Sequence, residues 1–234
     1  MKRGLFWPSF WAALGFLLLL GLGFWQIERL GWKEALIAQR NAALDAAPVA
    51  PPENLEDARA LEFHPIHVSG RFLNDDEMPV AAISRRGEAG FHIITPFRLE
   101  NGEVLLIDRG FVPVNLKSSE TRKAGLIEGD TTVTGLLRVP EHPGPFVPAN
   151  DPARNTWYYV DIPAMAKSQG IENALPFYLD ADASPVPGGY PVGAQTETDL
   201  PNNHLQYAIT WFALAAGLIG VYIVFVRRRF KEPP

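Results

Sequence analysis

The chain has 234 residues, 47% of them apolar and 20% charged, with a formal net charge of −5 at pH 7. That length suits one sizeable domain or two small ones, and the composition is too apolar for a disordered chain. Cysteine is absent, which excludes disulfides, thiolate catalysis, zinc–sulfur sites and iron–sulfur clusters on this chain while leaving its compartment open.

Residues 1–4 carry Lys2 and Arg3 and read as a cytoplasmic N-terminus. Residues 5–27 then run without a charge, and a helix of ~20 apolar residues crosses the hydrocarbon core of a bilayer. A cleaved signal peptide is the alternative. The run is long for one, and the bulky Phe24 and Trp25 follow Gly21-Leu22-Gly23 where a small-x-small cleavage site would end. An uncleaved transmembrane helix is therefore expected. Over residues 28–52 the helical pattern continues, with Leu30, Ile37 and Leu44 seven apart, until Pro48, Pro51 and Pro52 remove helical hydrogen bonds. This segment reads as a helical stalk and linker.

Residues 53–204 read as an extracytoplasmic domain, mainly antiparallel β. Strands are predicted at 64–68 with Gly70 and Phe72 beyond, at 91–99 and 103–108 around Glu100-Asn101-Gly102, and at 131–139, 157–160 and 177–179. Asn-Gly between two β-rich runs is a strong hairpin signal. One short helix is predicted, over 164–169. Residues 205–226 form the second apolar run, and residues 227–234 a cytoplasmic basic tail with Arg227, Arg228, Arg229 and Lys231.

Cations flank the outer ends of both runs, so the positive-inside rule places both termini in the cytoplasm. Between the termini, 15 basic and 25 acidic residues give a net −10, which reads as an acidic domain on the far side of the membrane. With no presequence ahead of the first run, a bacterial inner membrane with a periplasmic central domain is preferred. Neither run contains a charge, which argues against an ion relay along them. The fold class expected is thus a membrane protein, two transmembrane α-helices at the chain ends flanking an α+β, mainly antiparallel β, domain.

His204 is the most informative of the five histidines. It sits at the first turn of the second run, where Asn202 or Asn203 can cap the helix. His204, Ala208, Trp211 and Ala215 share one helical face, and Trp25 and Gln26 end the first run at the same depth. An imidazole at an apolar boundary, with aromatic walls and small neighbours, could ligate a heme iron axially. The alternative is an interfacial histidine bonded to headgroups or backbone, with Trp211 as packing, and the residues alone favour it. His64 and His67 are three apart in a strand and point to opposite faces, which argues against a shared metal. His92, in a hairpin strand, reads as structural, and His142 lies in a proline-rich loop.

Ala213-x-x-x-Gly217 and Ala216-x-x-x-Gly220, with Gly15, Gly21 and Gly23, offer surfaces for close helix approach in lipid. A second constellation, Asn150, Asp151, Arg154, Asn155 and Trp157, reads either as a loop held by side-chain-to-backbone bonds or as a polar partner-binding edge. Arg109 could pair with Asp108 or Asp151, or could bind an acidic group such as a propionate. No nucleophile elbow, phosphate-binding loop, zinc-protease motif or dinucleotide fingerprint is present, so no enzyme activity and no nucleic-acid partner are expected.

Read in order, several segments carry a family resemblance. They are Gly23-Phe24-Trp25-Gln26-Ile27-Glu28-Arg29 with Trp32-Lys33; Gly70-Arg71-Phe72; Gly90-Phe91-His92 with Thr95-Pro96-Phe97; and Asp108-Arg109-Gly110-Phe111-Val112-Pro113. Thr134-Gly135-Leu136-Leu137-Arg138, Pro148-Ala149-Asn150-Asp151-Pro152, Asn155-Thr156-Trp157 and the stretch from Leu200 to Trp211 complete the set. Their order and spacing resemble the Surfeit locus protein 1 family of cytochrome c oxidase biogenesis factors, with Phe111 where the family often has tryptophan. The resemblance implies a chaperone-like role in cytochrome c oxidase assembly, close to heme a insertion into subunit I. It implies as partners subunit I, the heme a synthesis machinery and the lipid bilayer, and it implies His204 as the heme ligand. The other reading is a membrane-tethered scaffold for an oxidase subunit that binds no heme.

Overall fold

The computed structural model describes residues 4–231, so Lys2, Arg3 and Glu232, on which part of the charge argument rests, lie outside the described residues. The chain divides into two compact units, one holding Arg40–Thr198 and the other the two terminal segments.

The terminal unit is built on α4 (His204–Lys231) and on α1 (Phe6–Leu44), whose residues from Arg40 onward belong to the middle unit. Both are long and apolar enough to cross a membrane. Pro8 falls in the first turn of α1, where no helical hydrogen bond is lost, and α1 continues past Ile27 as its heptad spacing predicts. The two helices run antiparallel. Ser9 Oγ meets the Tyr222 hydroxyl at 2.5 Å. Gly15 faces Leu218 and Gly23 faces Phe212, and Gln26 meets His204. Gly23 has to be small, because a Cβ there would lie 2.6 Å from the Phe212 ring. Ala208 and Ala215 are the buried residues of α4. The expected small-residue pairs are not the contact, since Ala213 and Ala216 are exposed and nothing lies near Gly217 or Gly220. The seam follows Ala208, Phe212 and Ala215, a stripe of four-residue and three-residue steps that keeps one face turned inward.

The middle unit is built on β1 (Pro65–Phe72), β2 (Met78–Ile83), β3 (Ala89–Leu99), β4 (Val104–Pro113), β5 (Asp130–Arg138) and β6 (Ala174–Ala181), with the short helices α2 (Leu55–Ala60) and α3 (Ile162–Ser168). The strand order is β1-β5-β6-β4-β3-β2, and β1 also pairs with β3. Five strands therefore close on themselves, which removes exposed edges, and β2 extends outward from β3. Gly70 stands where β1 meets β3; a Cβ there would lie 2.1 Å from the Arg98 carbonyl oxygen. The hairpin between β3 and β4 turns at Asn101-Gly102, with Gly102 at φ +88°, a conformation glycine adopts without strain.

Pairing is antiparallel throughout except between β4 and β6, which are parallel. The long connection through β5 and α3 makes that exception possible. Strand β2 escapes the sequence pattern because it contains Pro79, and it is the outermost strand, where a missing donor is tolerated. The strand expected at 157–160 does not form. Trp157 makes a single bridge to Val80, its carbonyl accepting from Ala81 N at 2.8 Å.

Side-chain alternation sorts the strands into two cores. Ile66, Val68, Phe97, Leu105, Ile107, Leu137, Phe177 and Leu179 fill one. Met78, Val80, Ile94, Leu106, Tyr178 and Trp157 form the other, under Ile162 and Met165 of α3. Strand β4 contributes to both, so its run is apolar without alternation.

Candidate functional site

His204 is the first residue of α4 rather than the end of the outer domain, and Asn202 Oδ1 accepts from its backbone N–H at 3.4 Å. Its Nδ1 lies 2.7 Å from Gln26 Oε1. With a carboxamide oxygen as partner, Nδ1 carries the proton and Nε2 keeps its lone pair, which is the tautomer an axial metal ligand needs. Gln26 is one of two buried residues of α1, the other being Gly23. A carboxamide buried in an apolar helix is costly unless it is hydrogen-bonded, and His204 is its partner. Among the described residues, Nε2 of His204 has no hydrogen-bond partner.

Trp211 lies two turns further along the same face, about 10 Å by helical rise. Its Nε1 is buried with no partner, an indole donor left open between the helices. Phe24 and Phe212 meet edge to face at 5.4 Å. Trp25, expected beside them, is 50% exposed and turned from the seam, because one position along a helix rotates the side chain by about 100°. The structure thus joins His204 to Gln26, sets Trp211 deeper on the same face, and leaves Trp25 outside.

The second constellation lies in the middle unit. Asn150 Oδ1 accepts from Tyr158 N at 2.8 Å and its Nδ2 donates to the Tyr159 carbonyl at 3.2 Å. Asp151 and Thr156 exchange two backbone hydrogen bonds. Asn155, at φ +49°, donates to the Glu77 carbonyl at 3.0 Å and accepts from Trp157 Nε1 at 2.6 Å. Trp157 is 1% exposed. These side chains hold a loop against β2. Arg154 remains exposed, with Asp151 at 3.6 Å.

Arg109 is buried and pairs with neither Asp108 nor Asp151. Successive strand residues face opposite ways, so Arg109 turns from Asp108 to Glu77 at 3.4 Å, Asn74 and the Gly125 carbonyl. Glu77 also takes the Arg122 guanidinium. Burial, with Arg122 alongside, lowers Arg109 to about 10, which leaves it charged at neutral pH.

A cluster that sequence reasoning missed spans β3, β4 and β6. His92 Nδ1 lies 2.6 Å from Asp108 Oδ2, and Asp108 Oδ1 accepts from Gly110 N at 2.8 Å. Asp108 and Asp180 are register partners across the parallel pair. Asp180 Oδ2 accepts from Thr196 at 2.6 Å and from Arg138 at 3.2 Å. Burial, reinforced by repulsion from Asp108, raises Asp180 from 3.8 to about 6. Burial opposes a charged His92, but Asp108 and Asp180 outweigh it and raise the imidazole. The available signal was two acids set in otherwise apolar strand runs, Ile107-Asp108 and Leu179-Asp180.

The chemistry of the residues present fits an axial heme ligand, with an oriented imidazole, a free Nε2 and an open indole N–H two turns along the same helix. The SURF1 family model matches residues 13–216. A SURF1-like protein of Monosiga brevicollis is 40% identical over 94% of this chain and 88% of its own length. Surfeit locus protein 1 of Mus musculus is 39% identical over 89% of this chain and 72% of its own length. The Homo sapiens protein of that name is 40% identical over 84% and 70%. This chain belongs to the SURF1 family.

Proposed function

We propose that this chain is a membrane-anchored assembly factor for cytochrome c oxidase, and that it takes heme a as cargo on His204 and passes it toward subunit I. The observation that carries the reading is the 2.7 Å contact from His204 Nδ1 to Gln26 Oε1. It fixes the imidazole with its second nitrogen available, at the joint end of two helices of membrane-spanning length. Family membership supports the oxidase-assembly part. Heme iron would supply an open coordination position that the imidazole fills. Gln26 holds the ring in orientation, Trp211 offers a donor within the seam, and Phe24 and Phe212 exclude water. One histidine makes an exchangeable site, which suits release better than storage.

In this reading α1 and α4 cross a bacterial inner membrane, both termini are cytoplasmic, the middle unit is periplasmic, and no catalytic step is performed. The test is the absorption spectrum of the detergent-purified chain, coexpressed with heme a synthesis, beside His204→Ala. A Soret band lost in the variant supports heme handling through His204. A colourless native chain, with heme a synthesis confirmed, points instead to a scaffold that binds no heme.

A further inference from the structure

The middle unit holds a cavity of about 730 Å³, well away in sequence from His204 and outside the reading above. Leu55, Val139, Ile162, Ala166, Ile171 and Pro176 give it an apolar wall. Its volume falls within the ~300–1,000 Å³ typical of small-molecule sites. The charged groups at its rim are uneven, since Arg59 and Lys167 face it with His142, against Glu172 alone. The chain between the two termini carries net −10, so an excess of cations around one cavity runs against the local charge balance. Among the described residues, Arg59 and Lys167 enter no ion pair, a state they share with Arg40, Arg85, Arg86, Arg98 and Lys117, so both are free to meet an anion at the rim.

We propose that this cavity binds a small amphiphile with a carboxylate head, its apolar tail against Ile162, Ala166 and Ile171 and its head between Arg59 and Lys167. An apolar wall rewards a tail of any charge through buried area. The unpaired cations select the sign of the head, because a carboxylate loses less by leaving water where two cations replace its hydration, while an ammonium head is repelled.

The absence of cysteine from the whole chain provides the test. Ala174→Cys places one thiol on the cavity wall, and Ser184→Cys places one outside it. The full chain in lipid nanodiscs is labelled with neutral N-ethylmaleimide, alone and with octanoate, octanol or octylammonium. Octanoate near saturation is expected to slow labelling of Ala174→Cys about tenfold, to leave Ser184→Cys unchanged, and to lose its effect when Arg59→Gln and Lys167→Gln are added. Octanol and octylammonium should protect far less. Equal protection by all three compounds, no protection by octanoate, or protection that survives the double substitution each overturns the proposal. Pro163→Cys, also on the lining, serves as a second reporter should Ala174→Cys fail to fold.

Discussion

At the scale of single residues, Gln26 and Glu77 make buried polar contacts with opposite roles. Gln26 orients His204 and contributes no ligand of its own. Gln26→Leu keeps the helix and removes the acceptor for Nδ1–H, so the ring loses its fixed tautomer. On the proposed function, heme retention should weaken by about 10- to 100-fold, the usual cost of losing such a supporting contact, with the Soret band shifted or broadened rather than abolished as expected for His204→Ala. A heme titration of the purified variants checks this, and unchanged affinity would show that Gln26 does not hold the ring. Glu77 plays a structural part, set between Arg109 and Arg122 with all three side chains nearly inaccessible. Glu77→Ala leaves two guanidinium groups buried without their counter-charge. Such losses cost roughly 3–5 kcal/mol, so the middle unit's urea midpoint should fall sharply while the helices keep their circular dichroism.

At the scale of elements, β3, β4 and β6 bring His92, Asp108 and Asp180 together, and their titration sets a pH dependence. Asp180 holds its proton more tightly folded than unfolded, about 6 against 3.8. Its contribution to stability is complete below the unfolded value and is lost as pH rises to about 6. His92 is raised, so its contribution is complete below the ordinary histidine range and is lost as pH rises through the folded value. Both act in one direction. The middle unit's thermal midpoint should therefore decline as pH rises from about 4 through the raised titration of His92, with Asp180→Asn flattening the lower part and His92→Gln the upper. Scanning calorimetry of the three proteins across that range decides it, and variants that keep the parent slope would place the dependence elsewhere. The hairpin joining β3 to β4 was legible in sequence, because Asn101-Gly102 is a local signal between two apolar runs. Strand β2 was not, because Pro79 hides an edge strand whose pairing is visible only in the assembled sheet.

At the scale of the whole molecule, the antiparallel seam from Ser9–Tyr222 to Gln26–His204 puts the outer ends of both helices on one side. That agrees with the cations Arg227, Arg228, Arg229 and Lys231 in the last turns of α4 and the positive-inside rule. In intact cells, an impermeant maleimide should reach Ser184→Cys without permeabilisation and should reach Arg228→Cys only after it. The reverse pattern would invert the orientation and move the middle unit to the cytoplasmic side.

Sequence by itself determined the two apolar helices, the hairpin, most of the strands, the family and the position of His204, because these depend on composition, short-range turn chemistry and residue order. Only the tertiary structure decided the partners. Gln26 and His204 are 178 positions apart, and nothing local marks a glutamine as the acceptor for that ring. Arg109 turned to Glu77 rather than to the adjacent Asp108 because strand alternation, not proximity in the chain, sets which side chains share a face. The small-residue motifs of α4 lost to the Ala208–Ala215 stripe for a related reason. A helix offers several faces, and its contact with α1 selects one.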